Sequence, residues 1–180
     1  KPAGNGIKYT YDENNPIKRA QGNLLETRRK TDMAQPDNDT NDIVTKFTYE
    51  PQYNQIKTIL DPKGYLTTFV FDYELPMTNP RYGLNGNVVD INFPQVQGQI
   101  PKVLLAYNQY GQPTFIADPN NTITQLAYEA ITGYLEKIIR DPNGINAITQ
   151  FTYDSFGYFD TLTDANNHVT DLDFNELGWL

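Results

Sequence analysis

Asp37, Asp39 and Asn41, in the stretch DNDTND (37–42), stand at the spacing of the first three ligands of a calcium loop. Hard oxygen donors two residues apart are what such a loop uses. Its sixth position needs Gly for a sharp turn and is Asp42 here; its twelfth needs a bidentate Glu and is Thr48. The EF-hand reading fails on both, and a solvated insertion loop is expected instead. Ser155 and His168 are the only Ser and the only His, and aspartates abound, so a Ser–His–Asp triad can be written down. No GxSxG elbow surrounds Ser155, and both residues fall beside turns, so no triad is expected. Asp171 and Asp173 share one strand face, the solvent one by pattern. A glycosidase needs two carboxylates at a defined separation, which the sequence does not supply. There is no Cys, hence no thiol chemistry and no disulfide. These residues imply no enzyme, no cofactor and no metal centre.

What positions these residues is a repeat. An aromatic followed by an acid or amide recurs at Tyr11-Asp12, Tyr49-Glu50, Phe71-Asp72, Tyr107-Asn108, Tyr128-Glu129, Tyr153-Asp154 and Phe174-Asn175. The intervals between the aromatics are 38, 22, 36, 21, 25 and 21 residues. Two residues before each lies a large apolar side chain: Tyr9, Phe47, Phe69, Leu105, Leu126, Phe151 or Leu172. Four before lie Ile7, Thr45, Thr67, Val103, Thr124, Thr149 and Thr170, all β-branched. A period of two places all three on one face of a β-strand.

The rest of each unit is as regular. Gly follows the aromatic by four or five residues at Gly111, Gly133, Gly157 and Gly178. A second apolar stretch then ends at Asp61, Asp118, Asp141 or Asp164, in the turns DPKG, DPNN, DPNG and DANN. Pro second in a turn presets φ, Asp bonds the backbone ahead, and Gly or Asn accepts positive φ. Ile59, Ile116, Ile139 and Leu162 lie two residues before those aspartates. Three further back come Ile56, Pro113, Glu136 and Phe159, which breaks simple alternation and points to a β-bulge. Each unit reads strand, turn, strand, turn. The repeat-bearing strands are expected near 45–49, 65–71, 103–107, 122–128, 145–153 and 168–174, with no helix longer than a turn or two.

Composition agrees. Aromatics make up 13% of the 180 residues, with 13 Tyr and 9 Phe, which favours strands; 12 Gly and 12 Pro supply turns. The net charge of −8 argues against a nucleic-acid partner. All of that charge falls in 103–180, and the reading favoured there is a solvated acidic surface. Lys18, Arg19, Arg28, Arg29 and Lys30 form a basic cluster, expected to be a strand face balanced by local acids. Apolar runs such as VLLAY (103–107) are too short to span a bilayer, so no membrane insertion is expected. The chain opens at Lys1 without Met, as a processed or excised piece would.

Tyr-Asp, then Gly, then Asp-Pro-x-Gly, then Thr-x-Phe-x-Tyr-Asp resembles the tyrosine-aspartate (YD) repeats of the Rhs family. The match covers 45–72 and 103–180 well. It is looser over 7–44 and 73–102, where insertions at 12–44 and 73–102 interrupt the period. The resemblance implies an all-β fold in which antiparallel hairpins stack side by side in a curved or spiralling sheet, a segment of a hollow shell. It implies one array of about six to seven units over 1–180, in a secreted or cell-surface protein. In bacterial toxins of this family the shell encloses a toxic C-terminal domain, and in teneurins it is part of a receptor. Family toxins also carry an aspartyl self-cleavage site where the shell ends; the Asp-Pro-x-Gly turns here continue into ordinary repeat strands and hold no copy of it.

A lone two-stranded unit is marginal in water, and stacking units pairs their edges and aligns their aromatics. The repeat residues Tyr11, Asp12, Tyr49, Phe71, Asp72, Tyr107, Tyr128, Tyr153, Asp154 and Phe174 are therefore expected to staple neighbouring hairpins. Two function classes remain. One is a shell segment around a toxin domain. The other is an extracellular filament-forming, adhesive or glycan-binding module that assembles through open β-edges. Partners are then neighbouring repeats of the same or other chains, and in the shell case the enclosed toxin.

Overall fold

The computed structural model describes residues 4–37, 40–175 and 177–179; Asp39 of the calcium-loop spacing lies outside them. The chain forms two compact units, Lys1–Lys102 and Val103–Leu180. In the first, β1 (Gly6–Tyr11), β2 (Leu24–Lys30), β3 (Ile43–Tyr49), β4 (Ile56–Leu60), β5 (Leu66–Phe71) and β6 (Val88–Asn92) each pair antiparallel with the next. The second repeats the meander. Its strands are β7 (Lys102–Tyr107), β8 (Pro113–Ala117), β9 (Ile123–Tyr128), β10 (Leu135–Arg140), β11 (Ala147–Tyr153), β12 (Phe159–Thr163) and β13 (Val169–Asp171). The protein is all-β and antiparallel. Among the described residues the only helical segments are single 3-10 turns at Lys18–Ala20 and Asp72–Glu74. Among the described residues no helix is long and apolar enough to cross a membrane.

Odd-numbered strands carry the aromatic pattern and even-numbered strands return the chain. The six predicted repeat strands correspond to β3, β5, β7, β9, β11 and β13, the last shortened to Val169–Asp171. The bulge is real and recurs. Thr48 pairs Thr58 but Tyr49 pairs Ile56, so Lys57 is extra. Thr114 is extra between the partners of Ala106 and Tyr107, and Glu136 between those of Ala127 and Tyr128. Shifts at Tyr11, Phe71 and Tyr153 follow suit. The extra residue always faces the step into the aromatic, which turns that ring against the start of the return strand.

One return strand departs from the sequence alignment. Leu135 pairs Tyr128 and Ile138 pairs Leu126, so these fill the places the aspartate spacing gave to Glu136 and Ile139. Asp141 is displaced by one residue because its turn is longer. Its own φ is 49°, and its carbonyl accepts from Asn146 N (2.8 Å).

The first unit owes its buried centre to an insertion. Phe71 is 0% exposed and Val89, the bulge residue of β6, is 1% exposed. The segment 72–87 folds back beside them. Arg81 donates to the Val89 carbonyl (3.0 Å) and pairs with Asp90 (2.5 Å), and Phe71 stacks on Tyr73 (5.9 Å, 10°). In the second unit Ala117, at the end of β8, is the one described residue buried to this degree.

Candidate functional site

Most of the short turns at both ends of the hairpins are closed by the same device. Asp61 Oδ1 accepts from the N–H groups two and four residues on, Lys63 and Tyr65, each at 2.8 Å. Asp118 does so with Asn120 and Thr122, and Asp164 with Asn166 and His168, all at 2.8 Å. Asp141, in its longer turn, instead uses Oδ2 to accept from Ile145 N (3.1 Å). The turns after the aromatics match. Asn108 accepts from Tyr110 and Gln112, Asp154 from Phe156 and Tyr158, and Asn175 from Leu177 and Trp179, at 2.9 to 3.1 Å.

Where a turn after an aromatic holds one more residue, as at Glu50 and Glu129, the acid is one methylene longer. Glu50 accepts from Gln52, Tyr53 and Gln55 N at 2.7, 2.9 and 2.8 Å, and Glu129 from Ile131 and Thr132 N at 3.1 and 2.6 Å. In the insertion turn, Asp72 accepts from Tyr73, Asn85 and Gly86 N at 2.8, 3.2 and 3.1 Å. Asp12, in the other long turn, accepts from Asn15 Nδ2 (2.5 Å).

These contacts correct one expectation. The acids serve chiefly their own turns, because a short carboxylate reaches little further; Glu50, which also accepts from Tyr73 Oη (2.5 Å) beyond the next strand pair, is the exception shown. The tyrosines do the linking. Tyr49 Oη donates to Leu24 O (3.0 Å), Tyr128 Oη to Pro113 O (2.9 Å) and Tyr153 Oη to Leu135 O (2.9 Å). Each acceptor is the residue paired with the preceding aromatic, namely Tyr11, Tyr107 or Tyr128. Each hydroxyl therefore ties its hairpin to the one before. Phe174 lacks a hydroxyl and stacks its ring on Tyr158 (5.3 Å).

A second ladder runs through the turns, and the sequence reading missed it. The N–H after each aromatic bonds the carbonyl of a turn-closing residue: Asn23, Gln55, Asn87, Gln112, Tyr134, Tyr158 or Trp179. The residue just before each closer has positive φ: Gly22, Asn54, Gly86, Gly111, Gly133, Gly157 and Gly178, between 61° and 87°. Within each unit the closer of one turn rests on the positive-φ residue of the next. Asn23 and Asn54 exchange amide hydrogen bonds (2.7 and 2.9 Å). Gln55 donates to Gly86 O and Gln112 to Gly133 O, both at 2.7 Å. Tyr134 covers Gly157, and Tyr158 covers Gly178, where an added Cβ would lie 2.7 Å from the Tyr158 hydroxyl. Sequence alone hides three of these positions, because the turns before Gly22 and Gly86 are long and Asn54 replaces Gly. The Gly-Asn dipeptides at 22–23 and 86–87 were the available signal.

The ladder gives a direct test. Gly22 and Gly157 share a φ of 86° and 87°, but nothing lies within 4 Å of a Cβ at Gly22, whereas one at Gly157 overlaps the Tyr134 hydroxyl. Gly22→Ala should therefore cost only the left-handed penalty, about 1 kcal/mol. Gly157→Ala should cost about 2 kcal/mol or more, since the incompatible contact adds to the strain. Urea denaturation at neutral pH reads both.

The residues considered for chemistry are dispersed. Ser155 is exposed in the turn between β11 and β12, and His168 lies in the turn between β12 and β13, at the other end of β12. The His168 ring meets Asp164 Oδ2 (3.2 Å), and Asp164 lies below its ordinary pKa chiefly through the hydrogen bond from His168 N. Asp171 and Asp173 are exposed. In the 37–42 stretch the acids meet cations. Asp37 pairs with Lys8 and with Lys30 (3.3 Å), and Asp42 Oδ2 with Arg28 (3.1 Å) and Lys30 (3.5 Å). Asp42 Oδ1 is buried without a hydrogen-bond partner. Of the basic cluster, Arg28 and Lys30 thus share a β2 face with Glu26 among these acids, and Arg29 is exposed. Lys18 and Arg19 are not on a strand; they sit in the 3-10 turn, where Arg19 donates to Pro51 O.

No family model matches the sequence, and no curated protein does. Solved structures do match. A TcdB2-TccC3 structure aligns at a TM-score of 0.59, and one lacking the hypervariable C-terminal region at 0.60, both at 18% identity. So does a Photorhabdus luminescens Tc holotoxin pore carrying a TccC3 mutation, at 0.59 and 18%. Each alignment covers 79% of this chain and 7% of the other. The chain shares the fold of part of these toxin-complex chains. At this identity the likeness is one of fold.

Proposed function

We propose that the chain is a structural segment of a large secreted or cell-surface protein of the Rhs type. In it, stacked YD hairpins over 1–180 form part of a β-shell around a toxin domain, and the segment itself carries out no chemistry. The observation that carries this reading is the turn ladder, in which, within each unit, the closer of one hairpin turn rests on the positive-φ platform of the next. Tyrosine hydroxyls and turn closers join hairpins and the turn aspartates close their own turns, which supports a structural role for these residues.

Electron cryo-microscopy of the intact parent protein tests the shell reading. The expected result is a closed β-wall that includes these hairpins and surrounds further density. A parent in which they bound no enclosed volume overturns it.

A further inference from the structure

We propose that Lys30 and Asp42 condense within the folded chain to a side-chain amide (isopeptide) bond, with Asp37 taking the first proton and Arg28 holding the developing oxyanion. The chain itself is the reactant, so no outside substrate is turned over. The motive is a buried charge that the fold leaves half satisfied. Arg29 pairs with Ile43, and one further step of that register sets Lys30, the last residue of β2, opposite Asp42, just before β3. The Lys30 side chain is 1% exposed and that of Asp42 0%. Lys30 Nζ lies 3.5 Å from Asp42 Oδ2, and it donates to Pro36 O (3.0 Å) and Asp37 Oδ1 (3.3 Å). Arg28 donates to the same Asp42 oxygen (3.1 Å) and to Glu26 (2.9 Å). From β1, Lys8 pairs with Asp37. Asp42 Oδ1 has no donor at all. A buried carboxylate oxygen left without one costs free energy for as long as the pair stays ionic. Condensation expels that oxygen and keeps the one that Arg28 holds.

The reaction balances within the site. Asp37 Oδ1 takes a proton from the Lys30 ammonium, and the neutral amine is then the nucleophile. Asp37 is half exposed, so this proton exchanges with solvent. A C–N bond forms at Asp42 Cγ, and the charge that develops on Oδ2 meets the Arg28 guanidinium. The Cγ–Oδ1 bond then breaks. Lys30 gives up two protons in all, and their equivalent leaves with Oδ1 as water. Charge is conserved, and no oxidant or outside reactant is needed. Two groups fixed side by side away from water escape the hydration and disorder that keep such pairs from condensing in solution. The product ties β2 to the start of β3 across the 31–41 insertion.

Intact-mass measurement of the full chain reads the bond directly. The expected mass is one water below that of the sequence. Trypsin cuts after Lys and Arg; it should spare the acylated Lys30 and release 30–46 as one peptide lacking a water. Fragmentation of that peptide should yield no separated products from breaks between Lys30 and Asp42. Lys30→Arg and Asp42→Ala should each show the full mass, and the wild-type mass decides the matter whether or not these variants fold. In a time course after cell-free synthesis, Asp37→Asn should slow the loss of water by about tenfold or more, as removal of a proton acceptor does. A full wild-type mass with cleavage after Lys30 shows an ion pair only and overturns the proposal. Water lost from any other peptide overturns it equally. A bond that forms as fast in Asp37→Asn overturns the part given to Asp37 and leaves the bond itself standing.

Discussion

Glu50→Ala is expected to destabilise the first unit by about 4 kcal/mol, since several hydrogen bonds to one buried charged acceptor are lost together. Glu50 is 2% exposed. Its carboxylate accepts from three backbone N–H groups of its own turn and from Tyr73 Oη (2.5 Å), which stands over the buried Phe71. Alanine strands those donors where water does not reach them. Burial opposes ionisation of Glu50, but the hydrogen bonds from Gln55, Tyr73, Gln52 and Tyr53 outweigh it, and its pKa falls below the ordinary 4.5. The same pair raises the Tyr73 phenol, through burial first and the Glu50 hydrogen bond second. Because the folded carboxyl is the stronger acid, the stabilisation is complete above about pH 4.5, where the unfolded carboxyl is also ionised. It is lost as pH falls through the folded value. The gap between wild type and Glu50→Ala in urea denaturation should therefore be full at pH 7 and narrow below pH 4. A gap that is unchanged in acid would show that the charge contributes nothing.

The strands were legible because their signal is local. Thr-x-apolar-x-aromatic states a face and a register within five residues, and Asp-Pro-x-Gly states a turn within four. The bulge was legible for the same reason: three-residue spacing between Ile56 and Ile59 cannot lie on one side of a flat strand. What resisted reading was anything set by the length of a connection. The extra residue in the turn after Asp141 shifts the aspartate spacing by one place, so Leu135 and not Glu136 stands opposite Tyr128. The insertion 73–87 looked like an interruption, yet it covers Phe71 and Val89. The turn ladder was invisible because it couples residues 20 to 31 apart that share no common type: Asn, Gln and Tyr all serve as closers. The matching of Glu to six-residue turns and Asp or Asn to five-residue turns was present in the sequence, but it has meaning only once the closing hydrogen bond shows where each turn ends.

Tyr153→Ala is expected to cost about 3 kcal/mol, within the range for removing a large aromatic from a packed site. Tyr153 packs against Tyr134 (4.7 Å) and Phe159 (4.9 Å), which in turn meets Phe151 (5.8 Å). Its hydroxyl holds Leu135 O on the preceding hairpin. Removing the ring therefore loosens three strands and undercuts the Tyr134 side chain that covers Gly157. Tyr153→Phe separates the two contributions and should cost about 1 kcal/mol, the worth of one hydrogen bond. Burial raises the Tyr153 phenol above its ordinary 10, and burial likewise raises Tyr128. A raised folded pKa means the stabilisation is whole below about pH 10 and declines as pH rises through the folded value, because the unfolded phenol ionises first. Denaturation above pH 10 should thus be steeper in pH for wild type than for Tyr153→Phe, which has no proton to lose. Ser155→Ala, two residues away in the exposed turn, should change stability by less than about 0.5 kcal/mol. If the serine change proved costly and the tyrosine change silent, the hydroxyl ladder would not be what joins the hairpins.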